Sequence, residues 1–158
     1  MGIAPYVRRL RDSVGHELLL LPAVAVLPRD ERGRLLLMQS MDTRQWQTIG
    51  GAIDPDESPQ DAALREAAEE AGIELRLGEV LAVLGGPQYR WTYPNGDEVA
   101  YVTVVFGATV VGGTLQADGD EALAVEWWEQ ADLGRCDMNS YTRTLLGAVG
   151  LPTQSTLA

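Results

Sequence analysis

Residues 58–72, SPQDAALREAAEEAG, constrain the fold more tightly than any other stretch of this chain. Ser58 has the short hydroxyl of an N-cap, Pro59 suits the first helical position, and Asp61 stands where a capping-box acid belongs. Gly72 can close the helix in the left-handed conformation. Within this bounded helix Glu66, Glu69 and Glu70 follow the i, i+3, i+4 spacing that puts them on one face. Like charges so spaced repel, and no basic residue follows within a turn. Negative charge near a helix C-terminus is also disfavoured, by roughly 0.3–1 kcal/mol per charge. Two local rules broken in one place point to a functional site. A divalent cation resolves both, because clustered carboxylate oxygens suit Mg2+ or Mn2+. A solvated acidic face is the ordinary alternative.

The wheel of this helix predicts an apolar flank of Leu64, Ala67, Ala68 and Ala71. The glutamates form a stripe opposite, framed by Ala62 and Ala63. An EF-hand loop starting at Asp54 fails as an explanation. Pro59 falls where that loop needs glycine, and Arg65 where it needs its final glutamate.

Around this helix the chain reads mostly as strands. HELLLLPAVAVLP and RLLLMQS read as strands joined by the polar turn RDERG. IELRLGEVLAVLGG reads as one or two strands. PQYRWTY and EVAYVTVVFGATVVGG flank Asn95-Gly96, a strong hairpin signal. ALAVEWWE is a further strand. Short helices are predicted at about residues 5–15, with Val7, Leu10 and Val14 on one face, and at about 139–149, capped by Asn139 or Ser140. The pattern is that of one α+β domain over residues 1–158, a mixed sheet sandwiched between helices (α/β/α).

Charge and composition narrow the partners. The net charge of −11 argues against extended nucleic acid, whose binding depends on clustered Lys and Arg. All 12 basic residues are arginine, so no lysine is available for Schiff-base chemistry. The longest apolar run, residues 18–27, contains Pro22 and is too short to span a bilayer. A single cysteine, Cys136, forms no internal disulfide and reads as an inert small residue. With no visible secretory signal, the expected location is cytoplasmic.

The wider stretch GAIDPDESPQDAALREAAEEAGI, residues 51–73, resembles the signature of the Nudix hydrolase family, the MutT-like enzymes. Gly51, Glu57, Arg65-Glu66, Ala67, Glu69-Glu70, Gly72 and Ile73 all stand at its defined positions. The resemblance implies a Nudix fold and Mg2+-dependent hydrolysis (Mn2+ as a substitute) of a nucleoside diphosphate linked to another group. It implies metal ligation by Glu66, Glu69 and Glu70 with the Gly51 carbonyl, while Glu57 and Arg65 brace the loop against the helix. The general base is expected to be Glu66 or Glu70 together with an acid from a later loop. Glu121 is the best match to that acid, as base or fourth ligand, and Asp120 is next. Departures from the common pattern are Ile49 in place of proline, Asp56 in place of glycine, and a small Ala67 at the aliphatic position.

Substrate choice lies outside the signature. Tyr89, Trp91 and Tyr93 alternate with Arg90 and Thr92, so one face offers rings for a nucleobase and the other an arginine for phosphate. Cross-strand packing is the plain alternative for these rings. Arg44 and Gln39 are further candidates for ligand contact. Trp46, Trp127 and Trp128 read as packing residues. Two other functions compete: a Nudix-fold nucleotide-binding or sensor domain without catalysis, and an RNA 5′-end or cap pyrophosphohydrolase. The retained carboxylates weigh against the first and the acidic charge against the second. Homodimers are common in the family, and the N-terminal helix is the candidate contact.

Overall fold

The computed structural model describes residues 4–154. Two strands near the start of the chain are apolar at nearly every position. β1 (Leu19–Arg29) and β2 (Leu35–Ser40) can therefore be stable only if both sheet faces are covered. Alternate residues take opposite sides: Val24, Val26, Leu36 and Met38 enter one core, and Ala25, Leu27, Leu35 and Leu37 the other. Two short strands follow, β3 (Trp46–Gln47) and β4 (Ile49–Ala52), then β5 (Ile73–Leu84), β6 (Arg90–Thr92), β7 (Glu98–Gly113) and β8 (Ala122–Trp128). All eight join one sheet with the central order β3-β2-β1-β7-β5. β4 pairs with β1, β6 with β7, and β8 with β2. Only β1 and β7 run parallel, from Leu19 beside Val99 to Arg29 beside Thr109, so the sheet is mixed.

The helices are α1 (Pro5–Val14), α2 (Pro59–Ala71) and α3 (Ser140–Ala148). α2 lays Ala62, Ala63, Ala67 and Ala71 on Val24, Val26, Leu36 and Phe106, where methyl side chains let helix and sheet approach closely. On the other face Leu145 and Leu146 of α3, with Leu133 from a 3-10 turn, cover Leu27, Leu35, Leu37 and Val105. The result is the α/β/α sandwich expected from the sequence. Ser58 caps α2 by accepting from the Asp61 N–H at 3.1 Å, and Gly72 ends it at φ 68°. Asn139 caps α3 through the Thr142 N–H at 2.7 Å.

Two local expectations need correction. The buried flank of α2 is not Leu64-Ala67-Ala68-Ala71: Leu64 and Ala68 are exposed, and Glu66 and Glu70 lie on the buried side beside Ala63 and Ala67. The helix has rolled so that its small residues meet the sheet, carrying two carboxylates inward. Tyr89 is also not in a strand. It belongs to a 3-10 turn, is only 3% exposed, and packs edge-on against Tyr141 in the α3-side core. Trp46 and Trp128 pack edge to face at 5.2 Å, as packing residues should. Among the described residues no helix is long and apolar enough to cross a membrane.

Candidate active site

Near the middle of the sheet β1 changes partner. It meets β2 at Arg29 and Leu35, whereas residues 23–26 pair with β4 instead. This change carries Gly50 and Gly51 between β1 and the buried side of α2. Gly50 has φ 147°, and a Cβ there would stand 2.1 Å from the Val24 carbonyl oxygen. At Gly51 a Cβ would lie 2.5 Å from Glu66 Oε1. Gly50 requires the bare backbone of glycine, whereas at Gly51 a Cβ would push the Glu66 carboxylate aside. The Gly50 N–H donates to Glu70 Oε2 at 2.9 Å.

Arg65 organises the rest. Its Nε and Nη2 donate to the two Glu57 oxygens at 2.7 and 2.9 Å, a bidentate fork across the loop entering α2. Nη2 also reaches the Ala52 carbonyl, and Nη1 donates to Glu66 at 2.8 Å and Glu69 at 3.2 Å. Glu57 takes the Asp54 N–H at 3.0 Å, which fixes the loop from its other side. These contacts hold the Glu57 carboxyl below its usual range and push the Arg65 guanidinium up, Glu57 being the largest influence. Asp56, one residue earlier, sits at φ 66°, a conformation that favours glycine.

Glu66 and Glu70 have the opposite electrostatics. Burial raises the proton affinity of Glu66, Arg65 opposes the rise, and the charges of Glu69 and Glu121 add to it. Glu70, 4% exposed, is raised well above the carboxylate range by burial and then by Glu66, while the Gly50 N–H pulls the other way. Glu121 and Asp118 raise it further. Glu69 differs: its side chain is 60% exposed.

Glu121 comes to this wall from a distant loop. Asp118 Oδ1 accepts the N–H groups of Asp120, Glu121 and Ala122 at 2.8–3.0 Å, which turns the chain into β8. The Glu121 carbonyl accepts from Met41 N–H at 2.9 Å, joining that loop to the β2–β3 turn. Gly51, Arg65, Glu66, Glu69, Glu70 and Glu121 all line one cleft of about 840 Å3; Asp118 and Asp120 do not.

The donors there are all oxygens, as a hard divalent cation requires. As the side chains lie, no three acidic, His or Cys groups among the described residues are gathered closely enough to hold an ion. The cause is visible in the contacts: Arg65 holds Glu66 and Glu69, and the Gly50 N–H holds Glu70. The residues fit a cation in type, and to hold one their carboxylates would have to turn from Arg65 and the Gly50 N–H. Exposed Glu69 has the freedom to swing from Arg65 toward its neighbours.

The substrate candidates divide. Trp91 and Tyr93 line the cleft, whereas Arg44, Gln39, Tyr89 and Arg90 do not. Tyr89 is spent on the core. Arg90 is exposed on β6 beside Ala100, and Arg44 is exposed in a left-handed turn at φ 60° with its carbonyl taking the Gln39 side-chain N–H. The cleft instead recruits Tyr101 from β7, Tyr141 and Asn139 from the start of α3, and Arg11 from α1. Tyr101 was within reach of the hairpin reading. Asn95-Gly96 sets Trp91 opposite Val99, and the Tyr101 hydroxyl, two residues on, meets that of Tyr93 at 2.8 Å. Nothing local in the sequence marks Tyr141, whose hydroxyl pairs with Thr103 of β7. Arg11 came from a segment read as a short helix and candidate dimer contact, not as part of the cleft.

Comparison with known proteins agrees with this architecture. The family model for the NUDIX domain matches residues 19–146. A Bacillus subtilis protein named as a putative 8-oxo-dGTP diphosphatase is 31% identical over 102 residues, 65% of this chain and 62% of that protein. The chain thus spans less than two thirds of that relative. A MutT-like protein from Streptomyces ambofaciens is 26% identical over 144 residues, 91% of this chain and 86% of the other. The crystal structure of an ADP-ribose pyrophosphatase from Streptococcus suis superposes with a TM-score of 0.63 at 24% identity, covering 82% of this chain and 88% of that one, and shows the shared fold. With the family's domain matched from β1 to the end of the α3 core, the chain belongs to the NUDIX family.

Proposed function

We propose that the protein hydrolyses a pyrophosphate bond in a small nucleotide derivative, with Mg2+ as the natural cation and Mn2+ as a substitute. The observation carrying this reading is the convergence of Glu66, Glu70 and Glu121, from two separate elements, on the cleft wall beside Gly51. Burial first, and then the charges of neighbouring carboxylates, raise the proton affinities of Glu66 and Glu70, and a bound cation would offset that charge. Nudix proteins generally work with a divalent metal. Glu66, Glu69, Glu70, Glu121 and the Gly51 carbonyl would hold it. When bound, a cation of this kind offsets phosphate charge and makes water more acidic.

The chain's own groups do the remaining work. Glu66 or Glu70, with Glu121, accepts a proton from the attacking water. The water oxygen forms the new P–O bond, the bridging P–O bond breaks, and the leaving phosphate keeps that electron pair. Arg65 and Glu57 act as positioning residues, because their fork fixes the loop that presents Gly51. Trp91 and Tyr93 offer rings on which a base can stack. The test is turnover of a nucleotide panel at saturating Mg2+. Glu66→Gln and Glu70→Gln should each lose at least roughly a hundredfold in kcat. Wild-type turnover in both variants would sink the assignment.

A further inference from the structure

Among the described residues α1 contributes none to either core, so apolar burial does little to seat it. Its polar tie to the sheet is Arg11, whose side chain is only 9% exposed. One terminal nitrogen donates to the carbonyls of Gly15 and Glu17 at 3.1 and 2.6 Å, where the chain leaves the helix. The other donates to the Glu98 carbonyl on β7 at 2.7 Å, and Nε faces Asp97 Oδ2 at 3.5 Å. Asp97 gathers the neighbouring pieces in turn. Its Oδ1 meets His16 Nδ1 at 2.6 Å, and its Oδ2 takes the Asn95 side-chain N–H at 3.0 Å. One carboxylate therefore joins α1 to the turn of the β6–β7 hairpin.

That hairpin brings Trp91 and Tyr93 to the cleft, and Val7 and Arg11 line the same cleft from α1. Burial raises the proton affinities of Tyr93 and Tyr101, and the Arg11 charge opposes the rise at both. The guanidinium thus lies within electrostatic range of their paired hydroxyls. On its other side α1 has room to move: Tyr6 and Val7 border a second cavity of about 400 Å3 with Ile53 and Pro55 of the loop entering α2.

We infer, resting on the hydrolase reading for what fills the cleft, that Arg11 and Asp97 form a latch that positions α1 as a wall of the substrate site. Both are positioning residues. With the latch closed, Val7 stands with the hairpin around the base that stacks on Trp91 and Tyr93. With it open, that part of the site loses a side. Apparent affinity scales with the closed fraction, so the latch governs KM and leaves the chemistry at Glu66 and Glu70 alone.

The chain has no lysine, so trypsin cuts only after arginine, and Arg8 and Arg9 are exposed on α1. A protease needs an extended chain, so cleavage at these two sites reads how often the helix opens. Arg11→Gln and Asp97→Asn should each speed it by about tenfold or more, the effect of losing one hydrogen bond to a charged group. Each should also raise KM by at least roughly fivefold for the fastest substrate of the nucleotide panel, with a smaller change in kcat. Arg11→Lys, which keeps a charge facing Asp97 and loses the fork, should fall between. Circular dichroism confirms the fold of each variant, and should one fail to fold, the other carries both readouts. Unchanged tryptic cleavage would overturn the latch. Faster cleavage with KM unmoved would overturn the place of α1 in the site. A KM raised by Arg11→Gln alone would also overturn it, because Arg11 would then meet the ligand itself. If the wild type cleaves no nucleotide the hydrolase reading falls, and the tryptic rates still decide the latch.

Discussion

Glu70 is a carboxylate held almost out of water, beside Glu66, with the Gly50 N–H as its near donor. Removing its charge while keeping its shape should stabilise the metal-free protein and disable the site. Glu70→Gln is expected to raise the metal-free melting temperature while costing turnover. The pH dependence has a definite sign. The folded-state proton affinity of Glu70 is raised, so its contribution to stability is fully present below the ordinary glutamate pKa of about 4.3 and lost as pH rises through the folded value. The melting-temperature gap between Glu70→Gln and wild type should therefore be widest at neutral pH and close toward roughly pH 4. A gap that widens on acidification would contradict the burial argument. Cys136 is simpler. Burial pushes its thiol up to about 11, so a thiol alkylator at pH 8 should label the protein only after unfolding.

Whole elements show which parts of the structure were legible in the sequence. The caps of α2, the Asn95-Gly96 hairpin and the Asn139 cap were readable because each is settled by contacts within a few residues. The roll of α2 was not. Leu64 is its largest apolar residue and suggested the buried side, but a tight helix–sheet contact takes alanines and leaves Leu64 at 38% exposure. The signature glutamates could be named in advance. That two would be buried and one exposed follows only from that roll. The loop entering α2 supplies a prediction at this scale. Asp56 holds a left-handed φ of 66°, a conformation that favours glycine. Asp56→Gly should relieve about 1 kcal/mol of backbone cost, partly offset by the greater freedom of an unfolded glycine. A denaturation midpoint unchanged or slightly raised is expected, with kcat preserved. A clear loss of stability would mean that the Asp56 side chain holds the loop.

The whole molecule has two cores, but they are not independent, because β1 and β2 send alternate side chains into both. Neither layer can separate without exposing the other. Tryptophan fluorescence, which reports on Trp46 and Trp128 in the α3-side core, Trp127 against the α2-side core and Trp91 in the cleft, should therefore trace the same denaturation curve as far-UV circular dichroism. Two resolved midpoints would show that the layers come apart. The substrate wall was the least legible region for a related reason: it is assembled from α1, β7 and α3, and only tertiary packing brings them together. The parallel pairing of β1 with β7 also has a consequence for the order of events during synthesis. β1 leaves the ribosome early, yet its central partner is not made until residues 99–109 have been translated. A nascent chain stopped at the hairpin turn would already contain Glu66, Glu69 and Glu70. Without the strand beside β1, it would have no finished sheet on which to seat them.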